Sequence, residues 1–306
     1  MKRTRAGLLG AALATVMALA ACGGSSGGSP LGSAGGSKAP TDTIVVGSAN
    51  FPENVLLADI YADALSAKGV QVTKKLNIGS RETYIPALKD GSIDLIPEYS
   101  GVLLQYFDKS ATAVSSADVY AALQKATPAP LTVLDQAAAE DKDSVVVTKD
   151  TATKYNLTSI GDLKAVAGKL AIGGPPEWKT RPTGLPGLKA KYGVTFGKFL
   201  ALDAGGPLTI QALKSGRVQA ADVFTTDPNI AANGWVILQD PSNLFAAQNV
   251  VPLINGPKAT DTVKTTLNAI SAKLDTATLG GLVKSVVLDK KDPDQVAKDW
   301  LSTAGV

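Results

Sequence analysis

The chain has 306 residues, 45% of them hydrophobic and 19% charged, which suits one large or two ordinary globular domains. It contains no histidine and one cysteine, Cys22, so Ser-His-Asp and Cys-His triads, imidazole metal sites, disulfides, thiolate zinc sites and iron–sulfur clusters are excluded. Three of its 30 basic residues (Lys2, Arg3 and Arg5) lie in a segment read below as removed; the remaining 27 balance 27 acidic residues, so composition does not support a nucleic-acid partner.

The N-terminus reads as an export signal. Met1 to Arg5 is basic, and residues 6–21 are uncharged and rich in Ala, Leu and Gly. That run is short of the roughly 20 residues a spanning helix needs, and small residues suited to cleavage end it. Leu19-Ala20-Ala21-Cys22 resembles the bacterial lipobox, which implies a signal peptide over residues 1–21 and acylation of Cys22. Residues 22–42 are dominated by Gly and Ser and read as a flexible tether.

Alternating strand and helix patterns follow. Thr43 to Val46 is a short apolar strand. Over Asn54 to Ala67, Leu56, Leu57, Ile60, Tyr61, Ala64 and Leu65 share one helix face. Val70 to Leu76 alternates, Glu82 to Lys89 is helical with Gly91 as its stop, and Ile93 to Ile96 is a third strand. The same order returns near residue 172. Ala87-Leu-Lys-Asp-Gly91 matches Ala212-Leu-Lys-Ser-Gly216, Asn77 to Ser80 matches Asp203 to Gly206, and Val46-Gly-Ser48 matches Ile172-Gly-Gly174. One order at nearly one offset predicts two similar α/β lobes with mostly parallel sheets. Ligands of such sheets sit beyond the carboxyl ends of the strands, where Tyr99 and Phe224 are counterparts. The two rings either face one cleft or cap their own sheets as core. Crossings between lobes are expected near residues 140–146 and 242–250. From Thr260 to Gly305 the chain reads as helices packed through Val263, Leu267, Ile270 and Leu274 and through Val296, Trp300 and Leu301.

Several stretches, in order, resemble the substrate-binding proteins of osmoprotectant ABC transporters of the glycine betaine, carnitine and choline type. Residues 44–54 are similar to an opening pattern GSKxFTEQ, and Ile93 to Gly101 to IDIxPEYTG. Pro176 to Leu188 is similar to PEFxxRxDGLPGL, and Val223 to Asp227 to [AV]YTTD. The resemblance implies a two-lobed periplasmic-binding fold of type II, with one lobe formed by residues 43–142 and 249–306 and the other by residues 143–248. It further implies closure on a small ligand, delivery to a permease and its ATPase, and no cofactor or metal.

Such proteins hold a quaternary ammonium in a cage of tyrosines by cation–π attraction. Mapped here, Tyr99 keeps one ring, Phe224 replaces a second, Asp143 falls on a third and Gln248 on a fourth. Asn50, Thr225 and the retained Arg181 complete the expected ligand set. The pattern's Lys is Ala49, and the Thr after its YTG is Val102, which tilts the site away from a ligand carboxylate. A choline-like cation, or a neutral hydroxylated or aromatic molecule, is then favoured over glycine betaine.

Two rival readings are an enzyme and a ligand sensor without transport. Glu98 with Asp227 would be a glycosidase-like carboxylate pair, but nothing in their spacing marks them. Gly173-Gly174 and Gly205-Gly206 lack a phosphate-loop pattern, and Asp289 to Asp294 lacks the order of a calcium loop. A monomer is expected.

Overall fold

The computed structural model describes residues 43–306; the expected signal peptide, Cys22 and the tether lie outside them. The strands are β1 (Ile44–Gly47), β2 (Val72–Lys75), β3 (Leu95–Tyr99), β4 (Leu131–Val133), β5 (Val145–Val147), β6 (Ala171–Gly174), β7 (Lys198–Ala201), β8 (Ala220–Asp222), β9 (Val236–Ile237) and β10 (Val250–Asn255). The helices are α1 (Pro52–Ala67), α2 (Arg81–Lys89), α3 (Ser100–Phe107), α4 (Ser116–Ala126), α5 (Lys149–Tyr155), α6 (Leu185–Tyr192), α7 (Pro207–Lys214), α8 (Pro228–Ala232), α9 (Asp261–Lys273), α10 (Thr276–Val287) and α11 (Pro293–Ala304). No helix among the described residues is long and apolar enough to cross a membrane.

The strands form two five-stranded sheets, in the orders β2-β1-β3-β10-β4 and β7-β6-β8-β5-β9. The predicted repeat is thus a topological one. In each sheet three strands run parallel in the same order, with Val46 beside Leu95 in the first and Ile172 beside Ala220 in the second. Two more strands complete each sheet through antiparallel pairing: β10 and β5 run against their trios, and the edge strands β4 and β9 run with them. The sheets are therefore mixed rather than mostly parallel. The reason is topological: β10 enters the first sheet from the second and β5 enters the second from the first, so each runs against the trio it joins. The central strands β1, β3, β5 and β8 are buried along their whole length. Helices cover both faces, which is why β5 can be an unbroken Val-Val-Val run.

The repeated Ala-Leu-Lys-x-Gly segments do the same work in both sheets. They end α2 and α7, and Gly91 and Gly216 take φ values of +78° and +73°, a region costly to other residues. Just beyond, Ile93 N–H donates to the Ala87 carbonyl at 3.1 Å and Val218 N–H to that of Ala212 at 3.2 Å. Each chain reversal is thereby fixed as it enters β3 or β8.

The C-terminal helices pack as their stripes predict. Val263, Leu267, Ile270, Leu274, Val296, Trp300 and Leu301 are buried in one core with α1 and β1. Two segments cross between the sheets, 134–144 and 238–249, and they run side by side. Glu140 bridges Asn249, and Asp141 N–H donates to the Gln248 carbonyl at 3.1 Å.

Candidate functional site

The carboxyl ends of the two parallel trios face one another across a cavity of about 580 Å³. Both sheets supply its walls, from the turns after β1, β2 and β3 on one side and after β6, β7 and β8 on the other. Of the expected ligand set, Asn50, Tyr99, Asp143, Arg181, Phe224 and Gln248 line it. Thr225 does not. Its N–H donates to the Lys142 carbonyl at 2.9 Å and its Oγ1 accepts from Lys142 N–H at 2.9 Å, so it fastens a crossing segment to the end of β8. Successive residues of extended chain point to opposite sides; Phe224 faces in and Thr225 faces out.

Three rings meet at the cavity. Phe51 lies 4.9 Å from Phe224 and 6.0 Å from Tyr99, centroid to centroid, both tilted. Phe51 closes the turn between β1 and α1, where Pro52 starts the helix. Tyr99 ends β3 and Phe224 follows β8, so the trio joins the two sheets. Tyr99 is 6% exposed, and its hydroxyl donates to Glu53 Oε1 at 2.8 Å. Burial, then the neighbouring Glu53 charge, holds that phenol well above its usual range.

Buried carboxylates lie behind and beside the rings. Glu53 also accepts from Thr226 Oγ1 at 2.5 Å, and Asp141 accepts from Thr226 N–H at 3.0 Å and Thr225 Oγ1 at 3.2 Å. Burial raises the pKa of both, and for Asp141 the Glu53 charge adds to it. Asp143 and Asp222 form a second pair. Burial raises each, and Asp143's charge raises Asp222 further. Two carboxyls buried side by side disfavour charging both at once. Gln248 Nε2 donates to Asp143 Oδ2 at 3.2 Å and orients that group.

Each arginine in the wall already holds a carboxylate. Arg81 donates Nε to Glu98 Oε1 and Nη2 to Oε2, both at 2.7 Å. The fully buried Glu98 also accepts from the Tyr84 hydroxyl and from Tyr99 N–H. Arg181 makes the same fork to Glu82, at 3.2 and 2.9 Å. The carboxylates weighed as an acid–base pair are thus occupied elsewhere: Glu98 by Arg81, and Asp227 as the cap of α8, accepting from Asn229 N–H at 2.8 Å.

Ala49 lies in the cavity wall with its N–H given to Asn54 Oδ1 at 2.7 Å, and Val102 lines the wall as an apolar residue. Beyond Arg181, Pro182 and Thr183 line a neighbouring depression and Leu185 starts α6. A Cβ on Gly184 would stand 1.9 Å from the Trp178 carbonyl oxygen, so only glycine lets this loop close on the turn Pro176–Lys179.

Residues 42–303 match the family described as the substrate binding domain of ABC-type glycine betaine transport systems. The chain belongs to that family. Among its relatives is the glycine betaine-binding protein YehZ of Escherichia coli K12, 28% identical over 276 residues that cover 86% of this chain and 90% of the relative. The carnitine transport binding protein OpuCC of Listeria monocytogenes strain 10403S is 26% identical over 267 residues, covering 85% and 86%. A crystal structure of a glycine betaine/carnitine/choline ABC transporter protein superposes with a TM-score of 0.67 at 23% identity, covering 86% of this chain and 98% of that one. Lactococcal OpuAC, closed and complexed with glycine betaine, gives 0.61 at 15% identity, covering 86% and 96%. These likenesses show the type II periplasmic-binding fold. This substrate-binding protein serves the transport system by taking up a small molecule between its two sheets and presenting it to the permease components.

Chain pattern did not single out Phe51, Arg81, Asp141 or Asp222 as site residues. Phe51 sits inside the quoted opening motif, and Asp222 stands two residues before Phe224, on the same side of extended chain. The alternation that separates Phe224 from Thr225 was the available signal for Asp222.

Proposed function

We propose that this protein captures a small quaternary amine of the osmoprotectant type, choline, glycine betaine or carnitine. Residues 43–142 with 249–306 form one lobe and residues 143–248 the other. The paired crossings near Asp141 and Gln248 act as the hinge. Ligand contacts from both lobes favour the closed form, since only contacts that differ between states move that equilibrium. The observation that carries the reading is the ring trio Phe51, Tyr99 and Phe224 in one cavity wall with the carboxyls of Asp143 and Asp222: π faces and acidic side chains suit a weakly hydrated cation. The protein works as a monomer, anchored by lipid on Cys22 to the outer face of the cell membrane, with residues 22–42 as its tether.

Calorimetric titration with choline, glycine betaine and carnitine tests the ligand class. Saturable binding of at least one at micromolar to low-millimolar concentration is expected; folded protein that binds none refutes it. Cys22→Ser should release the protein from the membrane fraction, and unchanged retention refutes the anchor. A second reading, a neutral hydroxylated ligand, is favoured by Asp143 and Gln248, which offer acceptors and a donor where rings are expected. Titration with polyols separates the two.

A further inference from the structure

We propose that Glu82 is a built-in carboxylate that occupies Arg181 and thereby sets the ligand class as a cation carrying no carboxylate of its own. The inference rests on the solute-capture reading above and adds the residue that selects among its ligands. Arg181 stands in the wall between the cleft and an outer depression lined by Glu82, Arg81 and Thr183. Its guanidinium grips Glu82 through the Nε and Nη2 edge, a fork–fork arrangement by which arginine holds a carboxylate. Glu82 is in the first turn of α2, beside the first sheet, and Arg181 follows the turn Pro176–Lys179 beside the second, so the pair also ties the lobes at the cleft mouth.

The charges around the cavity favour one kind of guest. Arg81 is neutralised by Glu98 and Arg181 by Glu82, in the same forked geometry. The Arg181 hydrogen bonds and charge hold Glu82 down to about 2, so it stays ionised near neutrality. A ligand carboxylate approaching Arg181 therefore meets an occupied guanidinium and a like charge beside it. Ala49 and Val102 add no donor that would compensate. Asp143 and Asp222 remain: both guanidinium charges favour the ionised form of Asp143, yet neither arginine is hydrogen-bonded to it. An ammonium group meets that charge and the rings at once, and a zwitterion does so only by bringing its carboxylate to a wall that already holds one.

The test compares choline with glycine betaine on wild type and Glu82→Gln by calorimetric titration. Any loss from the weakened lobe contact affects both ligands and cancels in the ratio of their affinities. Wild type should prefer choline over glycine betaine, and Glu82→Gln should shrink that preference by about two- to fivefold, the size of one partly exposed charge contact. Glu82→Gln with Arg181→Met should restore the wild-type ratio. A preference unchanged in Glu82→Gln, or equal binding of both ligands by wild type, overturns the role of Glu82 while leaving cation capture standing. Folded wild type that binds neither cation overturns cation capture itself, and this inference with it.

Discussion

Replacing Phe51 with alanine removes the ring that touches both Tyr99 and Phe224. The contact with Phe224, at 4.9 Å, joins the turn after β1 to the segment after β8 across the cavity. An aromatic pair of this geometry contributes about 0.5–1.5 kcal/mol beyond the area it buries. A half-buried ring facing a cation contributes about 0.5–2 kcal/mol more. The combined loss is about 1–3.5 kcal/mol, or roughly 5- to 400-fold in affinity. Phe51→Leu separates the parts, since it keeps apolar bulk against Phe224 and removes the π face. Calorimetric titration with choline should rank wild type tightest, Phe51→Leu next and Phe51→Ala weakest, with thermal unfolding confirming that each variant is folded. A folded Phe51→Ala protein that binds choline as tightly as wild type would refute the ring trio as the ligand's seat.

Arg81→Met should lower the unfolding free energy by about 3–5 kcal/mol, because it leaves the buried Glu98 carboxylate without its charge partner. Denaturant titration measures this, and Arg81→Met with Glu98→Leu should recover most of the loss; a single variant as stable as wild type would contradict it. Burial, then the charge of Asp143, raises the pKa of Asp222 above the 3.8 of the unfolded chain, so its contribution is full below that pH and is lost as pH climbs through the raised value. Wild-type melting temperature should therefore fall more, as pH rises above 3.8, than that of Asp222→Asn, and parallel profiles would remove Asp222 from the balance. Gly184→Ala should destabilise by roughly 1–3 kcal/mol as the loop is pushed off Trp178, a drop of about 2–12 °C in a thermal scan; an unchanged melt would show that the loop yields freely.

Much of the frame was legible because it rests on local signals. The apolar runs at Ile44 and Leu95 and the glycine stops at Gly91 and Gly216 repeat at nearly one offset, and that repeat places Tyr99 opposite Phe224. The mixed character of the sheets was not legible. β4, β5 and β9 have three, three and two residues, too few for a periodicity, and their direction depends on which lobe they leave. The ion pairs were hidden for another reason. Arg81 and Glu98 are 17 residues apart and Glu82 and Arg181 are 99 apart, distances that only the finished fold closes. Phe51 escaped because a single residue in a strand-to-helix turn belongs to no stripe. Asp141 and Asp143 both reach the cavity while Lys142 turns away to pair with Glu140, the period-two logic of extended chain again.

Diffraction from crystals of the protein grown with saturating choline addresses the central claim most directly. The account predicts ligand density in the gap between the two sheets, its ammonium against Phe51, Tyr99 and Phe224 and within reach of Asp143. Choline density lodged elsewhere on the molecule, with ordered water alone filling that gap, would contradict it.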